Sequence, residues 1–196
     1  ILNQLDEARH IRPGTPVDHG VVDTENVTKG GAWMSRLDQK NPALLDLLYG
    51  PRMMGFFDNF FGGKATHYDY TWFRVVRPGP GTPCHCDIVY MGRGTFNLFT
   101  VWTPLGDISL EMGGLMVLEN SHRLRDRLQR YLTRDVDVYC SNGPRAEAVA
   151  SGKWVRGFGQ LSKNPPQLRQ SLGGRWLTSE YAMGDIVIFS MGTVHC

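Results

Sequence analysis

The spacing of hydrophobic positions changes character partway along the chain. Up to about residue 40 polar residues dominate, broken by glycine and proline, with one short helical pattern near Leu2 to Ile11. Asn41-Pro42 predicts a helix start, a capping amide followed by a proline whose missing N–H costs nothing there. Leu44, Leu47 and Leu48 then recur at helical spacing, and after Gly50-Pro51 the apolar face continues through Met53, Met54, Phe57, Phe60 and Phe61. Such stripes predict helices that pack against a sheet, and Gly62-Gly63 ends them. From Tyr68 the texture turns to strands. Tyr70 to Arg77 is rich in aromatic and β-branched residues and stops at the turn cluster Pro78-Gly79-Pro80-Gly81. Further strands are predicted at about 85–91, 96–103, 114–119, 175–181 and 185–191, with glycine or proline in nearly every gap.

Short strands separated by turns predict a sandwich, jelly roll or barrel. Between His122 and Gly174 the pattern differs: Leu124 to Leu132 reads as a charged helix, and Trp154 to Pro166 as an irregular Gly/Pro-rich stretch. An excursion of this length from a β core is usually a lid or binding loop. The expected organisation is one domain over residues 1–196, with a helical part at 1–67 and a β core at 68–196 that carries a lid-like insert at about 124–174.

Composition narrows the partners. The 196 residues suffice for one sizeable core. Twenty-one basic and 19 acidic residues leave a net charge of +2, which removes the main argument for nucleic acid or anionic membranes. No apolar run is long enough to cross a bilayer and no signal-peptide pattern opens the chain. The four cysteines are too few and too unevenly placed for a disulfide framework. The expectation is a cytoplasmic protein in a reducing compartment, acting on a small molecule. The chain starts at Ile1 and stops after a strand-like run ending in Val194-His195-Cys196. A buried strand is an odd natural terminus, so the sequence reads as part of a longer chain.

The informative stretch for chemistry is Pro83-Cys84-His85-Cys86-Asp87. Side chains on a strand alternate faces, so His85 and Asp87 project together while Cys84 and Cys86 project oppositely. An imidazole and a carboxylate on one face can hold two neighbouring positions of a metal. His195, at the end of the run Gly184-Asp185-Ile186-Val187-Ile188-Phe189-Ser190, offers a second histidine. Two histidines and one carboxylate form the facial triad of non-haem Fe(II) oxygenases, with coordination positions left open for a 2-oxo acid and O2.

The wider sequence resembles the phytanoyl-CoA-dioxygenase-like family of Fe(II)/2-oxoglutarate oxygenases from about Trp72 to the last residue. The resemblance is carried by Arg77-Pro78-Gly79-Pro80-Gly81-Thr82-Pro83-Cys84-His85-Cys86-Asp87 and by Trp102-Thr103-Pro104-Leu105-Gly106-Asp107. It continues in Gly113-Gly114-Leu115-Met116-Val117-Leu118-Glu119-Asn120-Ser121-His122-Arg123 and in Gly184-Asp185-Ile186-Val187-Ile188-Phe189. It implies a mainly β fold with flanking helices, a double-stranded β-helix of the cupin-like jelly-roll type, and Fe(II) held by His85, Asp87 and His195. It implies 2-oxoglutarate and O2 as cosubstrates, with Trp102 on the third core strand against the 2-oxoglutarate. Thr100 shares the face of Trp102 and is a second cosubstrate candidate. Arg74, on the first core strand, is a third; pointing inward, it would need a carboxylate partner from cosubstrate or substrate. The resemblance also implies an arginine about nine to eleven residues beyond the distal histidine, paired with the far carboxylate of 2-oxoglutarate. The chain stops one residue after His195, so the last core strand is expected outside it. Asp87 favours hydroxylation, since related halogenases put a small residue at that position so that chloride can bind.

Other clusters read more plainly. Cys84, Cys86, Cys140 and Cys196 match no common zinc spacing. Gly92-Arg93-Gly94 precedes a strand and lacks the third glycine of a dinucleotide loop; it reads as a turn, with Arg93 near a pocket mouth. His122 reads as structural, and His10, His19 and His67 suggest no chemistry. Arg123, Arg125, Arg127 and Arg130 with Asp126 read as a solvated helix face or as recognition of an acidic substrate. Two other classes stay open: a non-catalytic jelly-roll binding domain, and a cupin-like metalloenzyme that does not use 2-oxoglutarate.

Overall fold

A computed structural model describes residues 1–26, 32–33, 41–69, 71–76, 79, 81–139, 147, 151 and 158–196. Tyr70, Cys140 and the start of the irregular stretch 154–166 lie outside the described residues. The chain forms two compact units, Ile1–Gly79 and Pro80–Cys196.

In the first unit, α1 (Leu2–Glu7) is shorter than the pattern suggested, because Arg9 takes a positive φ of 59° and reverses the chain. The Asn41 start is realised: its side-chain oxygen accepts from Ala43 N at 3.0 Å and Leu44 N at 3.2 Å, capping α2 (Pro42–Tyr49). The helix α3 (Pro51–Phe61) ends at Gly62, whose left-handed φ of 66° suits glycine. Leu44 and Phe57 are the buried residues of these two helices. A two-residue antiparallel pairing joins β1 (Ala32–Trp33) to β2 (Arg74–Val75).

The second unit holds the pairs β3 (Phe99–Trp102) with β6 (Val187–Ser190), and β4 (Val117–Leu118) with β5 (Trp176–Leu177), both antiparallel. Its helices are α4 (Ile88–Met91), α5 (Arg125–Leu132) and α6 (Pro165–Leu172). The strands are two to four residues long and lie in two-stranded sheets, and helix exceeds strand among the described residues. The mainly β expectation is therefore met only in its antiparallel pairing. Frequent glycine and proline turns cut the ladders short, so several contacts are single bridges.

Those bridges nevertheless connect. Ser162 pairs with Cys84, His85 with His195, and His195 with Val117, whose strand pairs onward with β5. The result is an antiparallel ribbon running from residue 162 through 84–85, 194–196 and 116–118 to 176–177. Its alternation sorts the side chains. Cys84, Cys86, Leu118 and Val194 pack with Val89, Leu128, Tyr131 and Leu168 in the core, beneath α5 and α6. His85 and His195 project from the other face. Full burial of Leu118 and Val194 contributes roughly 1.5–3 kcal/mol each. A one-residue slip would turn the histidines into the apolar core and the core set onto the opposite face, so the register is strongly specified.

The predicted strand at 85–91 is corrected. Ribbon pairing ends at Cys86; Asp87 turns helical (φ −68°, ψ −22°) and its carbonyl accepts from Tyr90 N and Met91 N, starting α4. Described parts of the insert bond to the ribbon and to one another. Cys84 N donates to Ser162 O and Leu161 N to Cys84 O, each at 2.8 Å. The Tyr131 hydroxyl accepts from Cys86 N at 2.9 Å and donates to Gly159 O at 2.7 Å. A Cβ at Gly159 would collide with the Tyr90 hydroxyl, which explains glycine at that close approach. Arg127, exposed on α5, donates to the carbonyls of Ser171 and Leu172 at the end of α6 and caps that neighbouring helix.

Candidate metal centre

Three elements deliver three side chains to one place. His85 comes from the ribbon segment before α4, Asp87 from the first residue past it, and His195 from the segment after β6. His85 and His195 are a directly paired couple that exchange both backbone hydrogen bonds at 3.0 Å. Their rings lie 4.2 Å apart, and all three residues are buried, at 8%, 7% and 6% exposure for His85, Asp87 and His195. Phe189 of β6 lies 4.5 Å from the His195 ring and covers it.

The hydrogen bonds decide the tautomers. His85 Nδ1 is 2.8 Å from Pro83 O, and His195 Nδ1 is 3.1 Å from Thr193 O. A carbonyl can only accept, so each Nδ1 carries the proton and each Nε2 presents a lone pair. Both Nε2 atoms face the same oxygen: Asp87 Oδ1 is 3.5 Å from that of His85 and 3.6 Å from that of His195. These separations sit at or beyond the long limit of a direct hydrogen bond, and they leave room for an ion among the three atoms. The other carboxylate oxygen, Oδ2, accepts from Thr100 Oγ1 at 2.5 Å. Burial alone would raise the Asp87 carboxyl; the hydrogen bond from Thr100 and the two neighbouring imidazoles outweigh it and hold it below the usual carboxylate range. The group stays ionised, as a ligand must.

The surrounding shell is largely backbone. Ser121 is buried, and its Oγ accepts from Val194 N at 2.9 Å, anchoring the residue before His195. The polar partner in the Ser-His-Arg phrase is thus the serine, while His122 is exposed in the following 3-10 turn. Pro83 and Thr193 each precede their histidine by two residues, a repeated spacing visible in the sequence, although the carbonyls that matter are invisible there.

Among the cosubstrate candidates, Thr100 serves the Asp87 carboxylate. Trp102 shares the Thr100 face of β3 by alternation and packs edge-on to Tyr181 at 4.9 Å. Arg74 departs from the inward orientation expected of it: it is exposed on β2, in the N-terminal unit. Arg93 is held by Asp135, with Nε and Nη2 at 2.8 and 2.6 Å from one carboxylate oxygen. On the far face of the ribbon, a hydrogen bond with Cys196 lowers the Cys84 thiol and raises that of Cys196, and burial pushes Cys86 up to about 12.

Two neutral imidazoles and one ionised carboxylate, with ligand atoms all within 4.8 Å of one another, make a set that can hold a single metal ion. That donor set defines the class, a mononuclear site of the two-histidine, one-carboxylate type. Residues 15–196 match the phytanoyl-CoA dioxygenase (PhyH) family, and the chain belongs to that family. No curated protein and no solved structure gives a significant match to it. No described helix is long and apolar enough to cross a membrane.

Proposed function

We propose that the protein is an Fe(II)- and 2-oxoglutarate-dependent oxygenase that hydroxylates a small organic substrate. The observation that carries this reading is the convergence of two Nε2 lone pairs on Asp87 Oδ1, with both histidine protons committed to backbone carbonyls. Membership of the PhyH family supports it.

In this reading His85, Asp87 and His195 are the iron ligands. Fe(II), when bound, supplies O2-dependent oxidative decarboxylation of 2-oxoglutarate to succinate and CO2, coupled to oxidation of a substrate C–H bond. The chain's own residues keep that chemistry ordered. The carbonyls of Pro83 and Thr193 orient the imidazoles and raise their basicity. Thr100 fixes the carboxylate so that Oδ1 remains the ligand oxygen. Phe189 shields His195 from water, and Trp102, on the face shared with Thr100, seats the cosubstrate. The 124–174 insert shapes the substrate pocket, since its segments 159–162 are bonded to Cys84 beside His85. A jelly-roll core and cytoplasmic action complete the proposal.

The test is an anaerobic titration of 2-oxoglutarate into the Fe(II)-loaded protein, watching for the visible metal-to-ligand charge-transfer band, followed by measurement of Fe(II)-dependent succinate. Bound iron with no such band would favour a binding domain or a cupin-like metalloenzyme. Full activity in His85→Ala would refute that ligand.

A further inference from the structure

The face of the ribbon opposite the histidines carries a second pair. His85 and His195 exchange both backbone hydrogen bonds, so in antiparallel register Cys84 stands directly across from Cys196 as a non-hydrogen-bonded pair. Their backbone groups confirm this, because Cys84 bonds Ser162 and Leu161 while Cys196 exchanges both bonds with Met116. In such a pair the Cα atoms approach to ~4.5 Å and the side chains are closest. Disulfides form at Cα separations of ~4.4–6.8 Å. Both cysteines are free thiols; Cys84 belongs to the buried cluster and Cys196 packs against it. Cys84 is fully buried and Cys196 is half-buried. Cys86, the other buried thiol, is directed instead at Gly192 O, at 3.6 Å.

We propose that Cys84 and Cys196 form a dithiol that a peroxide closes into a disulfide, and that closure weakens metal binding at the adjacent histidines. One of the two sulfurs attacks the O–O bond, giving a sulfenic acid and water. The other sulfur then displaces that oxygen as a second water, and the S–S bond forms. Two thiols lose two electrons and two protons, and one hydrogen peroxide becomes two waters; an added thiol reverses the change. Each sulfur sits one residue from a histidine of the metal set. The ribbon on either side is pinned by Met116 and Ser162, so the geometry that a disulfide imposes is absorbed by the His85–His195 pair between them. The coupling half of the proposal rests on the metal-centre reading; the disulfide does not.

The experiment treats the metal-free chain with hydrogen peroxide, alkylates remaining thiols and maps peptides without reduction. A Cys84–Cys196 linked peptide is expected, reversed by dithiothreitol, absent from Cys196→Ser and retained in Cys86→Ala. Cys196→Ser changes the half-buried member of the pair, and Cys84→Ala provides a second variant should the first fail to fold. Cysteines that end as sulfinic acids or alkylated thiols without linkage would overturn the proposal. Anaerobic Fe(II) titration of the two forms should then show an affinity about tenfold weaker for the oxidised one. Equal affinity would overturn the coupling. Failure of both forms to bind Fe(II) would refute the metal centre, and the coupling with it, while leaving the disulfide standing.

Discussion

Thr100→Val isolates one hydrogen bond at the candidate metal centre. Valine keeps the branched shape on β3 and removes the hydroxyl that meets Asp87 Oδ2 at 2.5 Å. Asp87 is 7% exposed, so water cannot easily replace the lost donor. A hydrogen bond to an ionised group contributes ~1.5–3 kcal/mol. At ~1.4 kcal/mol per factor of ten, its full loss from the aligned carboxylate corresponds to about 10- to 100-fold weaker metal binding, the range typical of outer-shell partners. The assay is an anaerobic Fe(II) competition titration of wild type, Thr100→Val and Thr100→Ser, with urea midpoints measured alongside. Serine should restore most of the affinity because it keeps the hydroxyl. Valine binding within about twofold of wild type, ~0.4 kcal/mol, would refute the argument. Serine as poor as valine would shift the cause to packing of the threonine methyl.

Three further outcomes follow from the shell around the site. Ser121→Ala leaves the buried Val194 N–H without its acceptor and should lower stability by about 1–3 kcal/mol in urea unfolding, with metal affinity falling as His195 loses its anchor. Tyr131→Phe removes the bonds to Cys86 N and Gly159 O; about 1–3 kcal/mol of destabilisation is expected, with faster hydrogen exchange at Cys86. The Cys86 thiol ionises near 12 in the fold but at about 8.5 in an unfolded chain. Because the folded value is raised, its contribution is complete below about pH 8.5 and is lost as the pH climbs toward 12. Urea midpoints should decline across that window, with a shallower decline in Cys86→Ala; equal slopes would show that this thiol does not govern it.

Local patterns reached far in this chain. The Asn41-Pro42 cap, the charged helix after Leu124 and the opposite facing of Cys84 and His85 all depend on neighbours within a few residues, where side-chain chemistry and backbone period are legible. The choice of His85, Asp87 and His195 was legible too, because a histidine and a carboxylate two apart, and a histidine at the end of an apolar run, are sparse signals in a sequence with six histidines. The end of the strand at Cys86 was not: Asp87 can stay extended or turn, and α4 follows from the carbonyl bonds that it makes once folded.

What only the tertiary structure decided lies across the chain. The tautomers depend on the carbonyls of Pro83 and Thr193, and every residue has a carbonyl, so composition says nothing about which will accept. Thr100 was legible as a residue on the Trp102 face, but its bond to Asp87 joins segments that only strand packing brings together. Arg74 shows the reverse: a strand and a charge suggested an inward guanidinium, whereas the folded chain leaves it exposed on β2. The sequence by itself determined which donors are available and on which face each stands. Folding determined which atoms those donors aim at one another, because that depends on contacts between segments whose separation along the chain carries no local pattern.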